Sequence, residues 1–169
     1  VAVAGDAVAP VALPTMMGPA PDLAGAPIAQ HRGVVCSEDP KAGTFLINGQ
    51  QFDMDTVMYT PQLGTVEEWT ITNTADEEHP FHIHVNDFQV MSVNGAAQPG
   101  YGLQDIVKLP AKGEVVIRMR LTDFVGKYVF HCHILNHEDN GMMAVVEVTA
   151  DGKPSAPATT TSTDPMHHS

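Results

Sequence analysis

From Gly43 onward, apolar and polar residues alternate in short runs broken by turn-forming residues, as in β-strands with one buried face. Thr44 to Ile47 is apolar and β-branched, and Asn48-Gly49 predicts a tight turn into Gln51-Phe52. Val66 to Thr72 alternates, with Trp69 and Ile71 on one face and Thr70 and Thr72 on the other. Phe81 to Val85 and Phe88 to Val93 come next, and Asn94-Gly95 marks another turn. Asp105 to Leu109, Glu114 to Leu121, Lys127 to Cys132 and Met142 to Val148 complete the set, with Pro110-Ala111-Lys112-Gly113 as a loop. Residues 135–140 leave room for a short helical turn, but no amphipathic helix of three turns is present. Seven or eight short strands over about 105 residues predict an all-β antiparallel sandwich with Greek-key connections.

The flanks read differently. Residues 1–42 are expected to be a Pro/Ala-rich extended connector, with prolines at 10, 14, 19, 21 and 27 and no sustained period. His31 and Cys36, in its polar final part, look structurally ordinary. Residues 43–150 are expected to form the folded domain, and 151–169 a flexible Ser/Thr/Pro-rich tail whose His167 and His168 are solvated.

Composition narrows the function classes. The chain has 169 residues, of which 43% are hydrophobic, enough to bury a core. Eight basic against twenty acidic residues give a net charge of -12, which repels phosphate backbones and anionic membranes, so no nucleic-acid partner is expected. No apolar run reaches the ~18 residues of a membrane span. The first residues lack the basic flank of a secretory signal, so any such signal is expected to be gone already. Two cysteines, Cys36 and Cys132, allow one disulfide, but Cys132 lies between two histidines and has a better use.

That use is chemical. His131-Cys132-His133-Ile134-Leu135-Asn136-His137-Glu138-Asp139-Asn140-Gly141-Met142 packs one thiol, three imidazoles and a thioether into one window. A second window, His79-Pro80-Phe81-His82-Ile83-His84, lies upstream, and the two hold six of the nine histidines. A soft thiolate, neutral imidazoles and a weak thioether suit copper in an electron-transfer site.

Strand parity divides the donors. His131 and His133 point one way and Cys132 the other; His82 and His84 share a face, and His79 is out of phase with them unless Pro80 disturbs the register. Neighbouring segments then place four histidines on one face and Cys132 with His79 on the other. His137 and Met142, five and ten residues beyond Cys132, require a loop that folds back over the thiolate. Two imidazoles and Cys132 would form a trigonal plane, with Met142 as a long axial donor. Zinc also takes Cys and His, but it requires neither a fixed methionine nor two oppositely facing clusters. A cysteine nucleophile would need an orienting partner that is not apparent.

These two windows resemble the H-P-x-H-x-H and H-C-H-x-x-x-H-x-x-x-x-M motifs in the last cupredoxin domain of multicopper oxidases, in the laccase and bacterial metallo-oxidase branch. The resemblance covers about residues 43–150 and implies a cupredoxin-type sandwich or barrel with copper as cofactor. It implies that His79, Cys132, His137 and Met142 hold a type 1 copper fed by a reducing substrate (a phenol, an amine or a metal ion). It also implies that His82, His84, His131 and His133 supply half of a trinuclear centre reducing dioxygen to water, in a secreted or periplasmic protein. The family's other half-site is a pair of H-x-H motifs in its first domain. The chain contains no further H-x-H, so it looks like the third domain of a larger oxidase, and the N-terminal cupredoxin domains would be its partners. Full oxidase activity is not expected of the isolated chain. The alternative is a stand-alone blue-copper electron carrier; a storage or sensing module lacks the expected Met-rich or Cys-rich tracts. Asn136 stands where several bacterial members carry a glutamate thought to relay protons, and Asn cannot serve. Glu138 and Asp139 are read as a solvated turn.

Overall fold

The computed structural model describes Gly5, residues 21–98 and residues 102–155. Two sheets stack face to face. The first runs β2 (Thr44–Ile47), β1 (Gln30–Asp39), β4 (Val66–Asn73), β9 (Glu114–Arg120), β6 (Phe88–Val93) and β7 (Ala96–Ala97). The second runs β3 (Val57–Tyr59), β11 (Met143–Val148), β10 (Gly126–Cys132), β5 (His79–Ile83) and β8 (Ile106–Leu109). The one helix among the described residues, α1 (Leu135–Asp139), connects β10 to β11.

The alternation read along β4 holds: Trp69 and Ile71 are fully buried, and Thr70 and Thr72 are not. Their inner face packs against Phe81, Ile83, Phe130 and Val146 of the other sheet in one core cluster. Trp69 meets Phe130 edge to face, with ring centroids 5.3 Å apart. Each such side chain contributes about 2–3 kcal/mol by leaving water. Asn48-Gly49 and Asn94-Gly95 adopt positive φ at both residues, at 51° and 75° and at 49° and 75°. Asn and Gly tolerate that conformation best, and it matches the twist of a hairpin.

Three expectations change. First, the stretch expected to be a connector as far as residue 42 contains β1, an inner strand paired with β2 on one side and β4 on the other. Only Val34 and Cys36 mark its inward face, and the polar residues around them hide the alternation. Residues 21–29 are docked as well. Leu23 is buried, and its carbonyl oxygen accepts from Arg118 at 3.0 Å. Second, the sheets are mixed rather than wholly antiparallel, because β1 runs parallel to β4 and β3 parallel to β11. Third, β3 and β7 had no sequence signal, being three and two residues long. The expected flexible tail is described only to Ser155, whose N–H donates to Glu147 at 3.2 Å; His167, His168 and residues 1–4 and 6–20 lie outside the described part.

A buried ion pair fastens β1 to β4. Arg32 donates twice to the Glu67 carboxylate at 2.8 and 2.9 Å, and the Trp69 indole N–H donates to the same group at 2.9 Å. Glu67 is hidden from solvent, and these three bonds replace its water. No helix among the described residues is long and apolar enough to cross a membrane.

Candidate metal centre

β5 and β10 are register partners, with Cys132 opposite Phe81 and His131 opposite His82. Side chains facing each other across an antiparallel pair leave the same side of the sheet. Cys132 therefore enters the core with Phe81, and His131 emerges with His82. His79 keeps parity with Phe81 and Ile83, so Pro80 does not disturb the register. β8 pairs along this stretch, with Leu109 opposite His79.

The loop after β10 brings up His137. α1 starts with the His137 and Glu138 N–H groups donating to the Ile134 carbonyl. Met142 N–H then donates to the His137 carbonyl at 2.9 Å, and Cys132 N–H to the Met142 carbonyl at 3.0 Å, which closes the loop on itself. Gly141 makes the return possible: its φ is 116°, and a Cβ there would meet the Phe45 carbonyl oxygen at 2.8 Å. Phe45 also stacks on the His137 ring, with centroids 4.0 Å apart.

Three donor atoms converge. The His79 and His137 Nδ1 atoms each lie 3.7 Å from Cys132 Sγ and 3.1 Å from each other. A point equidistant from the three is about 2.0 Å from each, the bonding distance of imidazole-ligated metals. His79, Cys132, His137 and Met142 are exposed by 0, 2, 5 and 0%, so water is excluded from the triangle. Burial pushes the Cys132 thiol up to about 11, helped by the charges of Glu138, Glu77 and Glu38 and opposed by a backbone hydrogen bond from Ile134. Burial likewise holds both imidazoles below the ordinary histidine value, with the charge of His137 adding at His79 and Glu77 opposing at both. Neutral imidazoles and a thiol that a metal can deprotonate fit copper.

Behind each imidazole stands a carboxylate. His79 Nε2 lies 3.3 Å from Glu38 Oε1, and His137 Nε2 lies 3.3 Å from Glu77 Oε1. The His79 and Glu38 atoms are both buried, and although they face each other they are not aligned as a hydrogen bond, so each lacks a hydrogen-bond partner. Burial raises the Glu38 carboxyl, and a hydrogen bond and the charge of Glu77 add to the effect. Glu38, Glu77 and Asp76 line an open pocket with Thr74 and Lys112. Sequence reasoning missed both glutamates. The Asp76-Glu77-Glu78 run beside His79 was a usable signal for Glu77; Glu38 had none.

On the outer face, His82, His84 and His131 bring one ring nitrogen each within 4.8 Å of the others, and the two Nε2 atoms of His84 and His131 are 3.2 Å apart. The His133 ring lies beside them, 5.4 Å from His82 and 5.6 Å from His131 between centroids, without entering that trio. His82 Nδ1 is tied to the Asp105 carbonyl at 2.8 Å, which leaves Nε2 for the cluster. Burial, then the neighbouring imidazoles, lower His84. Val85, next in the chain, is a β-branched residue at φ 69°, a strained conformation at the edge of the cluster. Glu138 is not simply solvated. Its Oε2 lies 3.2 Å from His131 Nδ1, and its side chain is three-quarters covered. Cys36 and Cys132 are both free and buried, so no disulfide joins them. His31 stays on the surface, 3.1 Å from Glu68.

A family model described as multicopper oxidase matches residues 26–152. A multicopper oxidase of Staphylococcus haemolyticus is 43% identical over 113 residues, which is 61% of this chain and 24% of that protein. Among solved structures, a laccase from Pediococcus acidilactici superposes with a TM-score of 0.72 at 32% identity, over 82% of this chain and 31% of its own. A metallo-oxidase from Campylobacter jejuni gives 0.67 and 31%, over 82% and 33%. The chain thus spans about a quarter to a third of the proteins it resembles. With the match extending across β1 to β11, this cupredoxin sandwich belongs to the multicopper oxidase family.

Proposed function

We propose that the chain is the C-terminal copper-binding domain of a larger multicopper oxidase. In this reading His79, Cys132, His137 and Met142 would hold a type 1 copper, through which the whole enzyme would take electrons from a phenol, amine or metal ion. His82, His84, His131 and His133 supply half of the trinuclear centre where the whole enzyme reduces dioxygen to water. The supporting observation is the convergence of one buried thiol and two buried Nδ1 atoms, from β10, β5 and α1, on a single point. Copper bound there supplies one-electron redox chemistry.

The chain's own residues prepare that chemistry. Cys132 gives up its proton on metal uptake, and its burial keeps the thiolate from water and oxidants. The peptide bonds from Cys132 to His131 and His133 provide a short covalent path between the inner and outer donors. Glu138 holds a carboxyl group at His131, where protons are needed, while the Asn136 amide cannot release and recover a proton at neutral pH. The missing half-site belongs to N-terminal cupredoxin domains, for which the greater length of the relatives leaves room. A stand-alone electron carrier would have no use for the outer imidazoles. A secreted or periplasmic location goes with this reading.

Copper loading of the purified chain tests it. One blue copper per chain is expected, with a thiolate-to-copper absorption band and little oxygen uptake. Four coppers per chain with laccase-rate oxygen consumption would overturn it.

A further inference from the structure

The two imidazoles of the inner triangle are turned the same way: each points Nδ1 at Cys132 and Nε2 at a glutamate. The glutamates come from unrelated places, Glu38 from β1 and Glu77 from the loop before β5. They meet each other too, since Glu38, Glu77 and His137 bring one donor atom each within 4.8 Å. A metal ion on Nδ1 requires the N–H of a neutral imidazole to be on Nε2, the nitrogen that faces a carboxylate oxygen at 3.3 Å in both rings.

We propose that Glu38 and Glu77 are a paired set of positioning residues that fix both imidazole ligands in the Nε2–H form and hold the centre's reduction potential down. The inference rests on the copper reading above. A carboxylate accepting from Nε2–H makes the ring a stronger donor to the metal. Two nearby negative charges also favour the cupric over the cuprous state. Solvent weakens the two charges unequally: the Glu38 side chain is 21% exposed and that of Glu77 54%. Glu38 therefore carries the larger share.

The test compares Glu38→Gln, Glu77→Gln and the double variant with the parent chain by redox titration of the thiolate-to-copper band. Glutamine keeps the size and can still accept through Oε1, so the band is expected in every variant. The potential is expected to rise in each single variant, more for Glu38→Gln, and furthest in the double. A band present with unmoved potentials overturns the inference and leaves the copper reading intact; no band in the parent chain overturns both. A second measurement needs no variant. In the cuprous-loaded chain, long-range proton–nitrogen NMR is expected to show His79 and His137 as slowly exchanging Nε2–H tautomers. An Nδ1–H signal from either ring contradicts the assignment.

Discussion

His131 is tied to the backbone of its own neighbour: its Nδ1 lies 2.9 Å from the carbonyl oxygen of Cys132 and donates to it. The two side chains leave opposite faces of the second sheet, one toward the core triangle and the other toward the outer imidazoles. This bond orients His131 Nε2 outward and joins inner and outer donors by one peptide unit and one hydrogen bond. Disturbing one side should therefore be felt on the other. In a copper-loaded chain, His131→Ala is expected to retain the blue band but shift its paramagnetic resonance parameters, whereas His84→Ala, without this bond, should leave them close to the parent's.

Cys132→Ser is expected to abolish the thiolate-to-copper band, since oxygen cannot supply the soft donor. The fold should survive, at a loss of about 1–3 kcal/mol for burying a hydroxyl in the thiol's place. Circular dichroism alongside absorption separates loss of the site from loss of the fold. A retained blue colour would remove Cys132 from the ligand set.

Met142→Leu conserves volume at a fully buried position and should cost less than ~1.5 kcal/mol. It should keep the colour and raise the reduction potential, because the weak axial donor is gone. An unchanged potential in redox titration would count against Met142 as that donor.

Copper uptake should release one proton near neutral pH. The thiol, pushed up to about 11, is protonated there, while the lowered imidazoles are already neutral. Apparent affinity should then rise about tenfold per pH unit between 7 and 9. Titration calorimetry in buffers of different ionisation enthalpy counts the proton, and a count of zero would contradict a thiolate ligand.

The metal-free chain should be most stable between about pH 6.5 and 9. His79 and His137, and to a lesser extent the more exposed His84, are held below the ordinary value of 6.5. Their unfolded forms bind protons that the folded forms refuse, so stability is lost as pH falls below 6.5. Glu38, raised above 4.5, acts in the opposite direction, but it is one carboxyl against three imidazoles. Cys36 and Cys132, raised from 9.0 to about 12 and about 11, ionise first in the unfolded chain, so stability is lost again as pH rises above 9. Melting temperatures across this range check both flanks.

Much of this was legible in the sequence where the information is local. Asn48-Gly49 and Asn94-Gly95 declare their turns, Trp69 and Ile71 their face, and the period of two separates Cys132 from His131. Contacts between distant segments were not legible. Nothing near Glu38 says that it will stand behind His79, because β1 reaches that site only by pairing with β2 and β4. Glu138 looked like a solvated turn residue until α1 turned it toward His131. Gly141 is required by the close approach of the Phe45 carbonyl, a contact between segments far apart in the chain.

The parallel seating of β1 beside β4 has a practical consequence for dissecting the protein. An excision starting at residue 43, where the alternating pattern begins, would delete an interior strand rather than a tether. It would leave one long side of β4 with bare amide and carbonyl groups, and strand β2 without the strand it pairs with. Such an edge recruits the matching edge of another molecule, so the trimmed polypeptide should go into inclusion bodies, whereas one starting near residue 21 should remain in solution.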